Sequence, residues 1–287
     1  MYKDNHIVDS HASVPNRQIA ILIDGDNAQP SLLEAMLAET GKYGLVTIRR
    51  IYGDWTSQNM KGWKDALQVH AIQPLQQFRY TIGKNATDSA MIIDAMDILY
   101  GGMVNGFCLV SSDSDYTRLA TRIREKGLFV MGIGKRTTPR AFINACEIFV
   151  YTENLVTEPE PQRQEAPARR RAAPRVPRRT QQAAEPVAPP SSPSQLLRRA
   201  FDMAVQEDGW AFLGTMGSRL RQLDPSFDPR TYGSRQLSTL IRTYPNIFEV
   251  KEVKTEAEGP AHVYVRLREP HAEVVPPPSS TPELPFE

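Results

Sequence analysis

Three short acidic clusters carry the residue types most able to do chemistry in this chain: Asp24-Gly25-Asp26-Asn27, Asp88 with Asp94, and Ser112-Asp113-Ser114-Asp115. Each falls where an apolar run ends or a helical pattern begins. Carboxylates that converge from separate stretches of chain offer hard oxygen ligands. These suit Mg²⁺ or Mn²⁺, cations that keep several waters and exchange them for phosphate oxygens. A site of that kind activates water and offsets charge on a leaving oxygen, which is what phosphodiester hydrolysis needs. Singly, each cluster has a structural explanation. Asp24 to Asn27 are turn formers, and Ser114 or Asp115 can cap the helix that begins near Tyr116. Together they favour a metal site, because all three are expected on one side of a sheet and like charges gathered without a cation repel. Asp94 lies six residues beyond Asp88 and so is not squarely on the same helix face.

The elements that must position these acids follow from apolar periodicity. Between Gln18 and Leu155, short apolar runs alternate with helical patterns, the rhythm of an α/β domain built on a mostly parallel, Rossmann-like sheet. Strands are expected at Ile19–Ile23, Val46–Tyr52, Ile72–Phe78, Phe107–Val110, Leu128–Ile133 and Ile148–Tyr151. Helices are expected near Ser31–Thr40, Gln58–Val69, Asp88–Leu99, Tyr116–Lys126 and Pro139–Cys146, with Gly41 and Gly127 as left-handed closing residues. Ligands of open α/β sheets gather beyond the carboxyl ends of strands, so neighbouring first and fourth strands would bring Asp24 and Asp113 to one crevice, with Asp88 entering from the helix before the fourth strand. After residue 193 the pattern changes to three helical stripes, led by Leu196, Leu213 and Leu237, and two alternating strands near Ile247–Val250 and His262–Val265, joined through Gly259-Pro260. Three helices and a β-hairpin spell a small C-terminal winged-helix domain. The expected organisation is a disordered N-terminus (1–17), the α/β domain (18–156), a disordered Pro/Arg-rich linker (157–193), the winged helix (194–269) and a disordered tail (270–287).

Composition narrows the class. The chain has 287 residues, 40% of them hydrophobic, enough for a core, while 23 prolines exceed the needs of one compact domain. A net charge of +1 makes any affinity for polyanions a matter of local patches. Cys108 and Cys146 are too few for a disulfide framework, and the five histidines lack zinc spacing. No apolar run is long enough to span a bilayer and the first sixteen residues lack a signal core, so a soluble, cytoplasmic protein without a membrane partner is expected. Gly132-Ile133-Gly134-Lys135 fails as a phosphate loop, since no glycine precedes at the required interval and Arg136 follows the lysine. Asp113-Ser114-Asp115 fails as a calcium loop, with Arg118 and Arg124 at the glycine and glutamate positions. Asp24-Gly25-Asp26 resembles the aspartyl-nucleophile pair of haloacid-dehalogenase-like phosphatases, but Ala28 replaces that family's threonine. This is the minor enzyme alternative.

Ile21-Leu22-Ile23-Asp24-Gly25-Asp26-Asn27, Lys84-Asn85-Ala86-Thr87-Asp88-Ser89-Ala90-Met91-Ile92-Ile93-Asp94 and Leu109-Val110-Ser111-Ser112-Asp113-Ser114-Asp115-Tyr116 resemble the NYN domain of the LabA-like group, in the PIN-like nuclease superfamily. The likeness covers about Gln18 to Leu155. It implies Mg²⁺- or Mn²⁺-dependent RNA hydrolysis with Asp24, Asp88, Asp113 and Asp115 as metal-binding acids, supported by Asp26, Asn27, Asp94 and Ser112. Phe227-Asp228-Pro229-Arg230-Thr231-Tyr232-Gly233-Ser234-Arg235-Gln236-Leu237-Ser238-Thr239-Leu240-Ile241, followed by Pro245-Asn246-Ile247-Phe248-Glu249-Val250, resembles the OST-HTH, or LOTUS, domain. That likeness implies a winged helix that binds RNA or, in some proteins, a helicase partner.

Candidate phosphate contacts are Lys84, Arg118, Lys135, Arg136 and Arg140 around the acidic crevice. On the winged helix they are Arg230, Arg235 and Arg242, within a basic bias that also includes Arg219, Arg221, Lys251 and Lys254. Trp55 could stack on a base, whereas Trp63 reads more readily as core. The expectation is a metal-dependent ribonuclease acting on RNA, single-stranded by preference, which the tethered winged helix concentrates near the acids. A catalytically inactive RNA-binding adaptor is the alternative from a different class, and a protein partner at the winged helix and a homo-oligomer remain open.

Overall fold

The structure, a computed structural model, describes residues 17–78, 86–156, 193–253 and 262–268. Its first part is a six-stranded sheet of β1 (Gln18–Asp24), β2 (Leu45–Gly53), β3 (Gln73–Gln76), β4 (Gly106–Val110), β5 (Phe129–Gly134) and β6 (Ile148–Tyr151), in the order β3-β2-β1-β4-β5-β6. Every pairing is parallel. Strands covered on both faces read as unbroken apolar runs. Accordingly Ile19 to Ile23 of β1 and Phe107 to Val110 of β4 are buried throughout. One face is covered by α1 (Leu33–Gly41) and α2 (Lys64–Val69), which bring Leu33, Met36 and Leu67 onto Ile21, Ile51 and Met131. The other is covered by α3 (Ala86–Gly101), α4 (Thr117–Glu125) and α5 (Arg140–Ala145), whose Met91, Ala95, Ile123 and Phe142 pack on Leu22, Leu109 and Val130. The strand order is that of doubly wound folds, in which the reversal between β1 and β4 opens a crevice at the carboxyl edge.

The second part consists of α6 (Pro193–Asp202), β7 (Ala211–Phe212), α7 (Leu213–Leu223), α8 (Leu237–Arg242), β8 (Phe248–Val253) and β9 (His262–Leu267). The strands form an antiparallel sheet in the order β7-β9-β8, closing over Leu197, Phe201, Met216, Leu220 and Ile241. This is the expected winged helix with one addition. β7 has two residues, too few for any periodicity to announce it, yet it makes the hairpin a three-stranded sheet.

Other departures are local. β3 is shorter than the run Ile72–Phe78, and Pro74, which cannot donate to a ladder, is accommodated within it at the sheet edge. Gly127 closes its helix with a positive φ of 76° as expected, but Gly41 is the last residue of α1 and the chain leaves through right-handed Lys42. Gly259-Pro260 and the linker lie outside the described residues.

The two parts meet along β6. The Phe149 N–H of this edge strand donates to the Pro225 carbonyl at 2.8 Å. Arg140 grips Asp224 through both terminal nitrogens, at 3.2 and 3.3 Å, and also reaches Ser226. Arg230 bridges Asp228 and Glu39 of α1, and Asn154 donates to Thr231 at 2.9 Å. Burial alone would raise the pKa of Asp224, but hydrogen bonds from Ser226 and Arg140 outweigh it and hold the carboxyl below its ordinary value.

A candidate metal centre at the carboxyl edge

Asp24 is the last residue of β1 and is 1% exposed. Its Oδ2 accepts from Asn27 Nδ2 at 2.6 Å and from Ser111 Oγ at 2.9 Å, while Oδ1 accepts the Asp26 N–H at 3.1 Å. Burial raises its pKa. The bonds from Asn27 and Ser111 oppose that rise, and the charge of Asp88 adds to it. Ser111 follows β4 and also accepts the Asp113 N–H at 3.1 Å, so one hydroxyl ties the end of β1 to the acidic loop after β4.

Asp113, Asp115 and Asp88 form the cluster itself, and Asp24, expected as a fourth metal-binding acid, is not among its members. One carboxylate oxygen from each lies within 4.8 Å of the others. Asp113 caps the short 3-10 turn Ser114–Tyr116, its Oδ1 accepting the Asp115 N–H at 3.0 Å, so capping and clustering are properties of the same loop. Asp88 stands in the first turn of α3, and its Oδ1 accepts from the Tyr116 hydroxyl at 2.7 Å. Burial raises the Asp88 pKa. The Tyr116 bond opposes it, and Asp113, Asp115 and Asp26 raise it further.

Two unit charges 4.8 Å apart repel by about 1 kcal/mol in bulk water and about 3.5 kcal/mol at the effective dielectric of a protein surface, on Coulomb's law. A divalent cation placed among the three would turn this repulsion into attraction. The donor set, oxygen throughout and set at the sheet's reversal point, fits Mg²⁺ or Mn²⁺.

The remaining expected residues fall in different places. Asp26 is exposed beside the cluster and accepts from Thr87 Oγ1 at 3.1 Å, and Asn27 orients Asp24. Ser112 accepts the Lys135 N–H at 2.8 Å, joining the β4 and β5 loops. Asp94 is not brought to the cluster. Its carboxylate accepts from Arg50 and the Tyr52 hydroxyl, both on β2, and so pins α3 to the sheet. Arg118, Lys135 and Arg136 are exposed, as a steering role requires. Arg140 pairs with Asp224, and Arg230 with Asp228 and with Glu39 across the inter-domain seam. Arg235 is exposed, Arg242 pairs with Glu252, and Lys84 lies outside the described residues. Trp63 is core at 1% exposure, and half-buried Trp55 donates its indole N–H to the Leu75 carbonyl. Ser111 and Tyr116, which hold Asp24 and Asp88, had no role assigned from sequence. Their signal was position alone: one directly follows the apolar run of β4, the other directly follows Asp115.

An α/β domain with carboxylates gathered at the β1/β4 reversal, followed by a winged helix, defines the class of protein. A family model described as NYN domain matches residues 18–153, and one described as OST-HTH/LOTUS domain matches residues 188–259. The chain therefore carries an NYN domain, of the PIN-like nuclease superfamily, and a C-terminal OST-HTH/LOTUS domain. No curated protein matches it. Among solved structures, it is similar to a protein of unknown function from Vibrio parahaemolyticus RIMD 2210633, at 20% identity and a TM-score of 0.40 over 47% of this chain and 93% of that one. It is also similar to an uncharacterized protein from Nitrosomonas europaea, at 25% identity and a TM-score of 0.26 over 33% and 95%. No helix among the described residues is long and apolar enough to cross a membrane.

Proposed function

We propose that the chain is a Mg²⁺- or Mn²⁺-dependent ribonuclease of the LabA-like kind that hydrolyses single-stranded RNA. The observation that carries this is the gathering of Asp88, Asp113 and Asp115 oxygens within 4.8 Å at the carboxyl edge of an NYN domain. When bound, the cation supplies positive charge to the scissile phosphate and to the attacking water. The chain's own residues do the rest. Asp88, Asp113 and Asp115 would hold the ion, and Asp24 contributes negative charge nearby through a carboxylate fixed by Asn27 and Ser111. Tyr116 orients Asp88, while Lys135, Arg136 and Arg118 attract the polyanion to the rim. The winged helix raises the local concentration of RNA.

Asp24 is poorly suited to be an aspartyl nucleophile, because both its oxygens accept hydrogen bonds and the residue is sealed from solvent. The test is cleavage of a labelled single-stranded RNA with Mn²⁺ by wild type and Asp113→Asn. Loss of cleavage in the variant, with its fold intact, supports the ribonuclease. RNA retention without metal-dependent cleavage by the wild type identifies an adaptor, and cleavage that survives the substitution identifies a contaminating enzyme.

A further inference from the structure

The outward face of the winged-helix sheet carries an aromatic strip that the acidic centre does not use. Strand alternation sends Ala211, Val250 and Val265 inward, so their neighbours Trp210, Phe212, Lys251, Tyr264 and Arg266 point out. Phe212 lies 5.7 Å from the Tyr264 ring and 5.6 Å from His262, making a row of three rings across β7 and β9. Trp210 extends the row and is flanked by cations, with Arg266 4.9 Å and Lys251 5.7 Å from its ring centroid. Trp210, Phe212 and Tyr264 are half-buried. Glu249 pairs with Arg266, but Lys251 has no ion pair among the described residues.

From this arrangement we infer that the outer face of β7, β9 and β8 is a stacking platform for the unpaired bases of single-stranded RNA. The rings, tilted by 54° and 57° to one another, each offer an apolar face to a base, while Lys251 and Arg266 beside Trp210 supply positive charge for a backbone phosphate. A duplex hides its base faces in its own stack and gains only the charge contacts. The strip is half aromatic and bordered by cations, which favours a polyanion with exposed π-faces over an aliphatic protein surface. The inference rests on the RNA reading of the chain but not on catalysis, so it is testable without metal.

The experiment is fluorescence anisotropy of a labelled single-stranded 12-nucleotide RNA, and of its duplex, titrated with the full chain in EDTA. Comparison variants are Trp210→Ala, Tyr264→Ala and Lys251→Gln. Stacking contributions of the usual size predict that each aromatic variant weakens single-strand binding by roughly 5- to 150-fold and leaves duplex binding within about twofold. Lys251→Gln should lower the salt slope by about one. Thermal unfolding confirms that each variant folds, and Tyr264→Phe, which keeps the ring, should bind as wild type. Wild-type-like single-strand affinity in both aromatic variants overturns the platform and leaves the RNA reading standing. Equal losses for single strand and duplex overturn stacking, and failure of the wild type to bind any RNA overturns both readings.

Discussion

Removing one hydroxyl, Tyr116→Phe, isolates the link between the core and the acidic centre. The ring of Tyr116 is fully buried against α4 and α5, so phenylalanine keeps the packing, and only the 2.7 Å bond to Asp88 Oδ1 is lost. A hydrogen bond to a charged acceptor is worth about 1.5–3 kcal/mol, and the half-buried position of Asp88 places this one near the lower value. At about 1.4 kcal/mol per decade, a carboxylate that has lost its fixed orientation should bind the cation roughly tenfold more weakly. That is also the low end of what outer-shell partners of metal ligands contribute. The assay is calorimetric titration of Mn²⁺ into RNA-free protein. In an Asp88→Asn background the same change should have almost no further effect, because the acceptor it serves is already neutral. An unchanged Mn²⁺ affinity in Tyr116→Phe would refute the reasoning, as would an equal loss in the Asp88→Asn background.

Three further outcomes follow from the geometry. Arg140→Asp should part the two domains by replacing a two-pronged ion pair with like charges, and adding Asp224→Arg should restore the contact. Energy transfer between dyes on the two domains reads both changes, and half-exposed Arg140 limits the effect to about 1–2 kcal/mol. Ser226 within the same domain and Arg140 across the seam together hold the Asp224 pKa low, so the docking stability that the Arg140 bond contributes is complete above the ordinary value of about 4 and is lost as pH falls through the lower folded value. The dye signal should therefore report opening only in strong acid, and Asp224→Asn should remove that contribution to the pH profile. Gly134→Ala would place a methyl 2.5 Å from the Ser111 carbonyl oxygen and 2.8 Å from Thr138 Oγ1. It should cost about 1–3 kcal/mol in thermal unfolding and disturb the hydroxyl that supports Asp24, lowering cleavage as well.

The parts of this molecule that announce themselves in sequence are those decided by local pattern. Ile19–Ile23 and Phe107–Val110 read as central strands because burial on both faces leaves no polar alternation, and the acids stand out because they interrupt those runs at their carboxyl ends. What depends on contacts between distant segments was not legible. Asp94 looks like a companion of Asp88 until Arg50 and Tyr52 are seen to claim it across α3 and β2. The ion pairs of Arg140 and Arg230 are hidden because nothing near them in sequence reveals that Asp224 and Glu39 will meet them. Ser111 and Tyr116 are hidden for the opposite reason: a hydroxyl beside an apolar run or an acidic turn looks the same whether it caps that turn or holds a carboxylate.

The central claim is that Asp88, Asp113 and Asp115 enclose one divalent cation. Crystals grown with Mn²⁺ and measured near the manganese absorption edge test it most directly. The account predicts one anomalous peak bonded to oxygens of Asp88, Asp113 and Asp115, lost in Asp113→Asn. A peak elsewhere, or none at a Mn²⁺ concentration that supports cleavage, would contradict it.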